Sequence, residues 1–278
     1  MTISAVCDIK EADLPQAMAD LGAKTKHTDY SEMLEQSGIE AVFIGTPMPL
    51  HVPQALEALE RGIHVISEVP AGISFDECKA LVSACAASKS RYIMAENYIY
   101  TRPMMLVSEI VRAGAFGEVY YAEGEYIHEL KELNEKTTWR RKWQTGINGI
   151  TYGTHSLGPI LQWMPGDRVV SVSCAGSGHH YKDPRGYHYE NEDSCVMLCK
   201  TAKNRLIKIR VDMISDRPHS MNSYQLQGTD GVFESTRLGP GEQDKIWLRK
   251  LSEEPEWTSL DSLADKYLPE TWRNITKE

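Results

Sequence analysis

No apolar run in this 278-residue chain approaches the roughly 18–20 residues that a membrane helix needs, and no basic-then-apolar leader opens it. Lysine and arginine form no long run; their 30 positive charges face 39 acidic residues, for a formal net charge of -9. That balance sets aside nucleic acid and an anionic membrane surface as partners. Six cysteines are present (Cys7, Cys78, Cys85, Cys174, Cys195 and Cys199), none in a Cys-x-x-Cys pair. Cys195 and Cys199 fall on one face of a strand, but no nearby His completes a zinc spacing, so reduced core thiols and no metal site are expected. Repeats and low-complexity segments are also lacking. What remains is an ordinary globular composition, 41% hydrophobic and 25% charged, in a chain too long for one small core. A cytoplasmic protein of two domains is the expectation.

The first hundred residues alternate strands and helices. Ile3 to Cys7 reads as a strand ending at Asp8, with helical spacing over 11–21; 40–45 is a second strand, followed by a helix from His51 to Arg61. His64 to Ser67 is a third strand. Ser74-Phe75-Asp76-Glu77 has the form of a capping box opening a helix to residue 88, and Arg91 to Ala95 is a fourth strand. That rhythm predicts a parallel sheet with right-handed crossovers. After a helix from Arg102 to Gly114 the pattern turns to strands: 118–127, 168–175, 193–200, 205–213, 221–227, 232–236 and 245–250, interrupted by a helix from Gly149 to Met164. The prediction is an α/β Rossmann-type domain over 1–100, without its first strand and Gly-rich turn, then an α+β domain over 101–278 with a large, mainly antiparallel sheet.

In an open parallel sheet, ligands bind beyond the carboxyl ends of the strands. Those ends carry Asp8, then Thr46-Pro47 with His51, then Glu68-Val69-Pro70, then Glu96-Asn97-Tyr98. Singly each is more often a turn or helix cap; four in register point to a dinucleotide site. An acidic group ending a second strand suits the two ribose hydroxyls of an adenosine. A Rossmann half begins, however, with a strand entering Gly-x-Gly-x-x-Gly well before its acidic residue, and here that residue is already at position 8. In the second half, WRRKWQTGINGITYGTHSLGPILQW (139–163) combines a cation (Arg140), a phenol (Tyr152) and an imidazole (His155), parts suited to proton transfer on a polar substrate. The plain alternatives are a surface salt bridge for Arg140, simple packing for Tyr152 on its helix, and core or interface roles for Trp143 and Trp163. The loop HHYKDPRGYHYENED, with His179, His180 and His188, reads as solvated rather than metal-binding.

Thr46-Pro47 with His51, GIHVISEVPAG (62–72) and Ala95-Glu96-Asn97-Tyr98 resemble the Gfo/Idh/MocA oxidoreductases, NAD(P)-dependent sugar and cyclitol enzymes. Glu-Val-Pro at 68–70, Trp139-Arg140, Tyr-Gly-Thr-His-Ser-Leu-Gly-Pro at 152–159, EGEYIHEL (123–130) and DMISDRPHSMNSYQLQGTDG (212–231) are similar to its NAD-dependent glycosidase branch, typified by α-N-acetylgalactosaminidase. The resemblance implies that Asp8 binds the adenosine ribose of NAD. It implies that Thr46, Met48, His51, Glu68, Val69 and Asn97 line the cofactor. It implies that Tyr126, Arg140, Tyr152, Gly153, Thr154, His155 and His219 contact the sugar, with His155 and Tyr152 as the acid/base pair. This chain departs in having Thr151 where the wider family has Asp, Val69 where it has Lys, and His219 where the branch has Tyr. Both ends are expected to be shorter than in the family.

Hydrolysis by two flanking carboxylates has no evident pair in the 126–160 tract; Glu123, Glu125, Glu129 and Glu132 read as solvated. The branch implies instead transient oxidation at C3 of a sugar, elimination, water addition and re-reduction, with NAD carrying the hydride. A simple sugar dehydrogenase and a non-catalytic fragment are the alternatives. A homodimer or homotetramer is expected from a sheet with an exposed face.

Overall fold

A computed structural model describes residues 2–145, 147–218, 221–237 and 243–273. The chain divides into two compact units, Met1–Ala95 and Glu96–Glu278. The first runs β1 (Ala5–Cys7), α1 (Leu14–Leu21), β2 (Thr25–His27), α2 (Tyr30–Gln36), β3 (Ala41–Ile44), α3 (His51–Glu60), β4 (His64–Ser67), α4 (Phe75–Ala87) and β5 (Tyr92–Met94). Its strand pairings, β1 with β2, β3 with β4 and β4 with β5, are all parallel. β2 and α2 escape a pattern reading, so Ala41–Ile44 is the third strand along the chain rather than the second. Thr-Lys-His is short and polar and presents no apolar run, because only one neighbour pairs with it. The signal for α2 is Asp29, whose Oδ1 accepts from Glu32 N at 2.8 Å as an N-cap.

The expected cap of α4 is there. Ser74 Oγ accepts from Glu77 N at 3.2 Å, while the Glu77 carboxylate reaches back to Ile73 N at 2.9 Å. One face of the β3–β4–β5 sheet buries Val42, Ile44 and Val65 against Val52, Ala55, Ala58, Leu59 and Leu81. On the other face Phe43 and Ile93 are exposed, although parallel sheets are normally covered on both sides. Nor does any ladder join β1 to β3 among the described residues. The unit is thus a Rossmann-type sheet in two pieces, broken beside β1.

The second unit is built on eight strands: β6 (Val119–Ile127), β7 (Val169–Gly176), β8 (Cys195–Thr201), β9 (Leu206–Asp212), β10 (Met221–Gly228), β11 (Gly231–Glu234), β12 (Lys245–Leu248) and β13 (Thr258–Ser259). Their order is β13-β12-β11-β10-β6-β9-β8-β7. Every pairing is antiparallel except one, β6 with β9. α5 (Arg102–Arg112) and α8 (Thr154–Gln162) contribute to a core with Ala122 and Tyr126 of β6, Ile207, Ile209 and Val211 of β9, and Tyr224 and Leu226 of β10. These alternate along each strand, as one buried sheet face requires. Trp163 is fully buried in that core.

Three expectations need correcting here. The helix from Gly149 begins only at Thr154, so Tyr152 and Gly153 lie in the loop before it; Gly149 takes a left-handed φ of 100°, which no helix accommodates. Glu123 and Glu125 are not simply solvated: Glu125 is buried and pairs with Arg237 at 2.7 Å, and Glu123 pairs with Lys208 at 2.7 Å. Of the cysteines, Cys195 and Cys199 are core thiols, but Cys78 and Cys174 are exposed. Further short helices interrupt the strands as well, α6 (Lys131–Glu135) and α7 (Thr138–Arg140), with a π-turn at Arg141–Thr145.

Candidate active site

The site in the second unit begins with a close approach. α8 lies so near β6 that a Cβ on Gly124 would fall 2.4 Å from the Ser156 carbonyl oxygen, and one on Gly158 would fall 2.7 Å from Glu96 Cγ. Glycine at both positions therefore lets the first turn of α8 sit against the strand and against Glu96. That turn carries His155, 7% exposed, whose Nδ1 lies 2.8 Å from Glu96 Oε1. A carboxylate only accepts, so Nδ1 is the donor, and in the corresponding neutral tautomer the lone pair lies on Nε2. Glu96 Oε1 also accepts from Tyr98 N at 3.1 Å, which fixes the carboxylate in turn. Tyr224 donates its hydroxyl to the His155 carbonyl at 2.6 Å and so ties the same turn to β10.

Three tyrosines surround the imidazole. Ring centroids lie 4.7 Å away for Tyr98, 5.1 Å for Tyr126 and 5.0 Å for Tyr152, and Tyr126 is 5.4 Å from Tyr152. Tyr126 comes from β6, Tyr98 from the turn at Asn97–Tyr100 and Tyr152 from the loop before α8. The Tyr126 hydroxyl is 2.9 Å from His128 Nδ1. Burial first, then the neighbouring Tyr152, Tyr98 and Glu96, push the Tyr126 phenol above its ordinary pKa. Burial does the same to Tyr98 and Tyr224. These phenols are proton donors at neutral pH.

The structure thus brings together Tyr126, Tyr152 and His155 of the expected residues. Gly153 accepts the amide of Leu157 as α8 starts, and Thr154 is half-buried in that turn. Arg140 is half-buried and lays its guanidinium on the Trp139 ring, 4.4 Å from the centroid; among the described residues it makes no ion pair, contrary to the surface salt-bridge reading. The neighbouring Arg141 takes that role, with Glu135 at 3.0 Å, Asp183 at 3.1 Å and Glu190 at 3.3 Å. His180 is held by Asp193 at 2.6 Å and His188 by the Tyr181 carbonyl at 3.2 Å, in the loop expected there. His219 lies outside the described residues. Glu96 and His128 were not singled out for proton chemistry from sequence. Glu96 sits 59 positions before His155, and a local pattern cannot show such a pairing. The His128 signal was present in Tyr-x-His, since alternate residues of a strand share a face.

In the first unit the strand-end groups differ in exposure. Asp8, at the end of β1, is exposed; its Oδ1 accepts from Lys10 N at 2.8 Å and leaves the carboxylate open to solvent. Glu68 is exposed, whereas Met48, His51 and Val69 are buried. His51 places Nε2 2.8 Å from the Thr46 carbonyl and Nδ1 2.9 Å from the Pro70 carbonyl, so its ring bridges the loops after β3 and β4. The Thr46 hydroxyl donates to Gln54 at 2.7 Å. Asn97, in the second unit, is exposed. An exposed carboxylate after one strand and braced loops after two others fit the ribose and nicotinamide portions of a dinucleotide. Among the described residues no Gly-rich strand-to-helix turn offers the pyrophosphate a nest of backbone N–H groups.

A Rossmann-type unit followed by a large, mainly antiparallel sheet, with an imidazole–tyrosine cluster at the start of one helix, defines a two-part architecture. Residues 100–278 match the family model described as glycosyl hydrolase 109, C-terminal domain, and the chain belongs to that family. Residues 1–96 match the oxidoreductase family, NAD-binding Rossmann fold. A Shewanella oneidensis protein named alpha-N-acetylgalactosaminidase is 32% identical over 99% of this chain and 66% of its own length. A glycosyl hydrolase family 109 protein of Saccharopolyspora erythraea is also 32% identical, over 99% of this chain and 64% of its own. The chain thus spans just under two thirds of the length of these relatives. Among solved structures, an NAD binding oxidoreductase from Klebsiella pneumoniae superposes with a TM-score of 0.79 at 20% identity, covering 93% of this chain and 70% of that one. The WlbA dehydrogenase from Bordetella pertussis, solved with NADH and UDP-GlcNAcA, gives 0.69 at 25% identity, covering 84% and 69%.

Proposed function

We propose that this chain carries the working parts of an NAD-dependent glycosidase that cleaves a sugar–oxygen bond through transient oxidation. The observation that carries the reading is His155, oriented by buried Glu96 and ringed by Tyr98, Tyr126 and Tyr152. Membership of the glycosyl hydrolase 109 family supports it. NAD, when bound, would supply the hydride acceptor and donor of such a cycle. Cofactor contact is assigned to Asp8 for the adenosine ribose, to Thr46, Met48, His51, Glu68 and Val69 of the first unit for the nicotinamide side, and to Asn97 of the second unit. In the second unit, Nε2 of His155 takes the proton of the sugar hydroxyl at C3 as that carbon is oxidised, and Tyr152 and His155 return protons later in the cycle. A ketone at C3 acidifies C2–H, which permits loss of the C1 substituent and addition of water. Tyr126, Arg140, Gly153, Thr154 and His219 are assigned to sugar contact.

The name of the Shewanella oneidensis relative makes an α-N-acetylgalactosaminide the first substrate to try. Incubated with NAD⁺, the protein should release the aglycone while absorbance at 340 nm stays flat. Stoichiometric NADH would instead establish a plain sugar dehydrogenase, the second reading, which the sugar-nucleotide complex of the WlbA dehydrogenase favours. Calorimetry with NAD⁺ tests whether the chain is a non-catalytic fragment, since no binding would remove both enzymatic readings. Six free thiols support a reducing, cytoplasmic location, and among the described residues no helix is long and apolar enough to cross a membrane. Exposed Val170, Val172 and Leu198 on β7 and β8 support self-association into a dimer or tetramer.

A further inference from the structure

We infer that His128 is the proton partner of Tyr126, so that the cluster holds two imidazole-backed proton groups rather than one. The inference deepens the glycosidase reading and rests on it. His155 with Glu96 is the first group, carried by α8. The second is on β6, where Tyr126 and His128 are alternate residues of one face and the phenol oxygen is 2.9 Å from Nδ1. The two rings meet nearly edge-on, 73° apart at 5.7 Å. Tyr126 joins the groups, because its ring also lies 5.1 Å from that of His155. His128 is held at its main chain, where its N–H donates to the Asp212 carbonyl at 2.9 Å.

The chemistry asks for a second pair. Oxidation at C3 needs one base, for the hydroxyl proton, and His155 supplies it. Elimination then needs another, for C2–H, while the first group still carries its proton. A buried phenol held above its ordinary pKa is a poor base alone, and an acceptor hydrogen-bonded to it removes that obstacle. As the C2–H bond breaks, its proton bonds to Tyr126 Oη. The Oη–H bond breaks in concert and its proton passes to His128 Nδ1, leaving an imidazolium. The C–H electron pair forms the C1–C2 double bond, and the C1–O bond breaks with its pair on the departing oxygen. That oxygen takes the proton held by His155. When water adds at C1 its proton passes to His155, which protonates the C3 oxygen on re-reduction. The protons on Tyr126 and His128 exchange with solvent before Tyr126 reprotonates C2 and His128 returns a proton to the phenol. A dehydrogenase that only exchanges a hydride needs the first pair alone, so the second separates the two activities on chemical grounds.

The test uses the full chain and two readouts. Nitrogen-15 NMR of histidine-labelled protein, with His128 assigned through its own variant, should show the Nδ1 signal moving on Tyr126→Phe while histidines away from the cluster stay put. An unmoved signal overturns the pairing whether or not the protein turns over any glycoside. The second readout is kinetic, with NAD⁺ and an α-N-acetylgalactosaminide. His128→Asn keeps an acceptor near the Nδ1 position but no base, so it should lower kcat about 10²–10³-fold with KM within a few-fold, as far as His128→Ala does. Full kcat in His128→Asn overturns the proton role and leaves only orientation. If the wild type cleaves no glycoside while the NMR shift is present, the glycosidase reading fails and the Tyr126–His128 pair stands.

Discussion

At the residue scale, the account turns on how a buried histidine is oriented. Glu96 holds Nδ1 of His155 at 2.8 Å, so the carboxylate sets which nitrogen is free. Glu96→Gln keeps a hydrogen-bonding side chain but can present its amide to Nδ1 and reverse the tautomer. It should lower kcat about 10²-fold or more with KM little changed, measured as glycoside turnover with saturating NAD⁺. A second residue-scale prediction concerns Asp183. Burial pushes its carboxyl pKa upward, but Arg185, the backbone N–H of Tyr187 and Arg141 outweigh it and hold the value at about 2. A depressed folded-state pKa contributes stability above the unfolded value near 3.9, and that contribution is lost as pH falls through 2. Urea midpoints should therefore decline between about pH 4 and pH 2, and Asp183→Asn should be less stable at pH 7 yet flatten that part of the decline. An unchanged slope in the variant would show that Asp183 is not its source. His155 and Tyr152 were legible as a spaced motif. Their partner Glu96 was visible only as a strand-end acid, because nothing local records which side chains meet across 59 residues.

At the element scale, α8 is the part that must not move. Gly124→Ala would drive a methyl to 2.4 Å from the Ser156 carbonyl oxygen, a backbone atom that cannot step aside alone. Overpacking of this kind costs about 1–3 kcal/mol, readable as a lower urea midpoint, and the displaced helix should also reduce turnover. Ser74→Ala in the first unit removes the acceptor for Glu77 N and should cost about 1 kcal/mol with no other change in kinetics. The strands and helices with strong periodicity were legible: β3, β4, α3, α4 and the run of strands from β6 to β12. Those that failed have physical reasons. β2 is three polar residues on a two-stranded ladder. The start of α8 is set by the positive φ of Gly149 and by packing against β6, not by the apolar pattern, which runs on through the loop. Charges on β6 read as solvated because their partners, Lys208 and Arg237, lie 85 and 112 residues away.

At the scale of the whole molecule, the two units differ in the continuity of their sheets. The second has a continuous eight-stranded sheet and a cluster of Tyr98, Tyr126, Tyr152 and His155 under one helix. The first has a parallel sheet in two pieces, a bare face at Phe43 and Ile93, and no Gly-rich turn among the described residues. Asp8, whose carboxylate is open after β1, is proposed for the adenosine ribose, and Asp8→Ala should weaken NAD⁺ binding in calorimetry at least 10-fold, the loss of about 1.4 kcal/mol. An unaffected affinity would remove Asp8 from the ribose site. The glycosidase reading itself makes one isotopic demand. If C2–H is removed during cleavage and solvent reprotonates that carbon, an α-N-acetylgalactosaminide turned over with NAD⁺ in D₂O must release a sugar carrying deuterium at C2. Mass spectrometry and proton NMR of the freed sugar read this directly. The account predicts one deuterium at C2 and no accumulated NADH; a sugar released with its C2 proton intact, or NADH formed mole for mole, contradicts it.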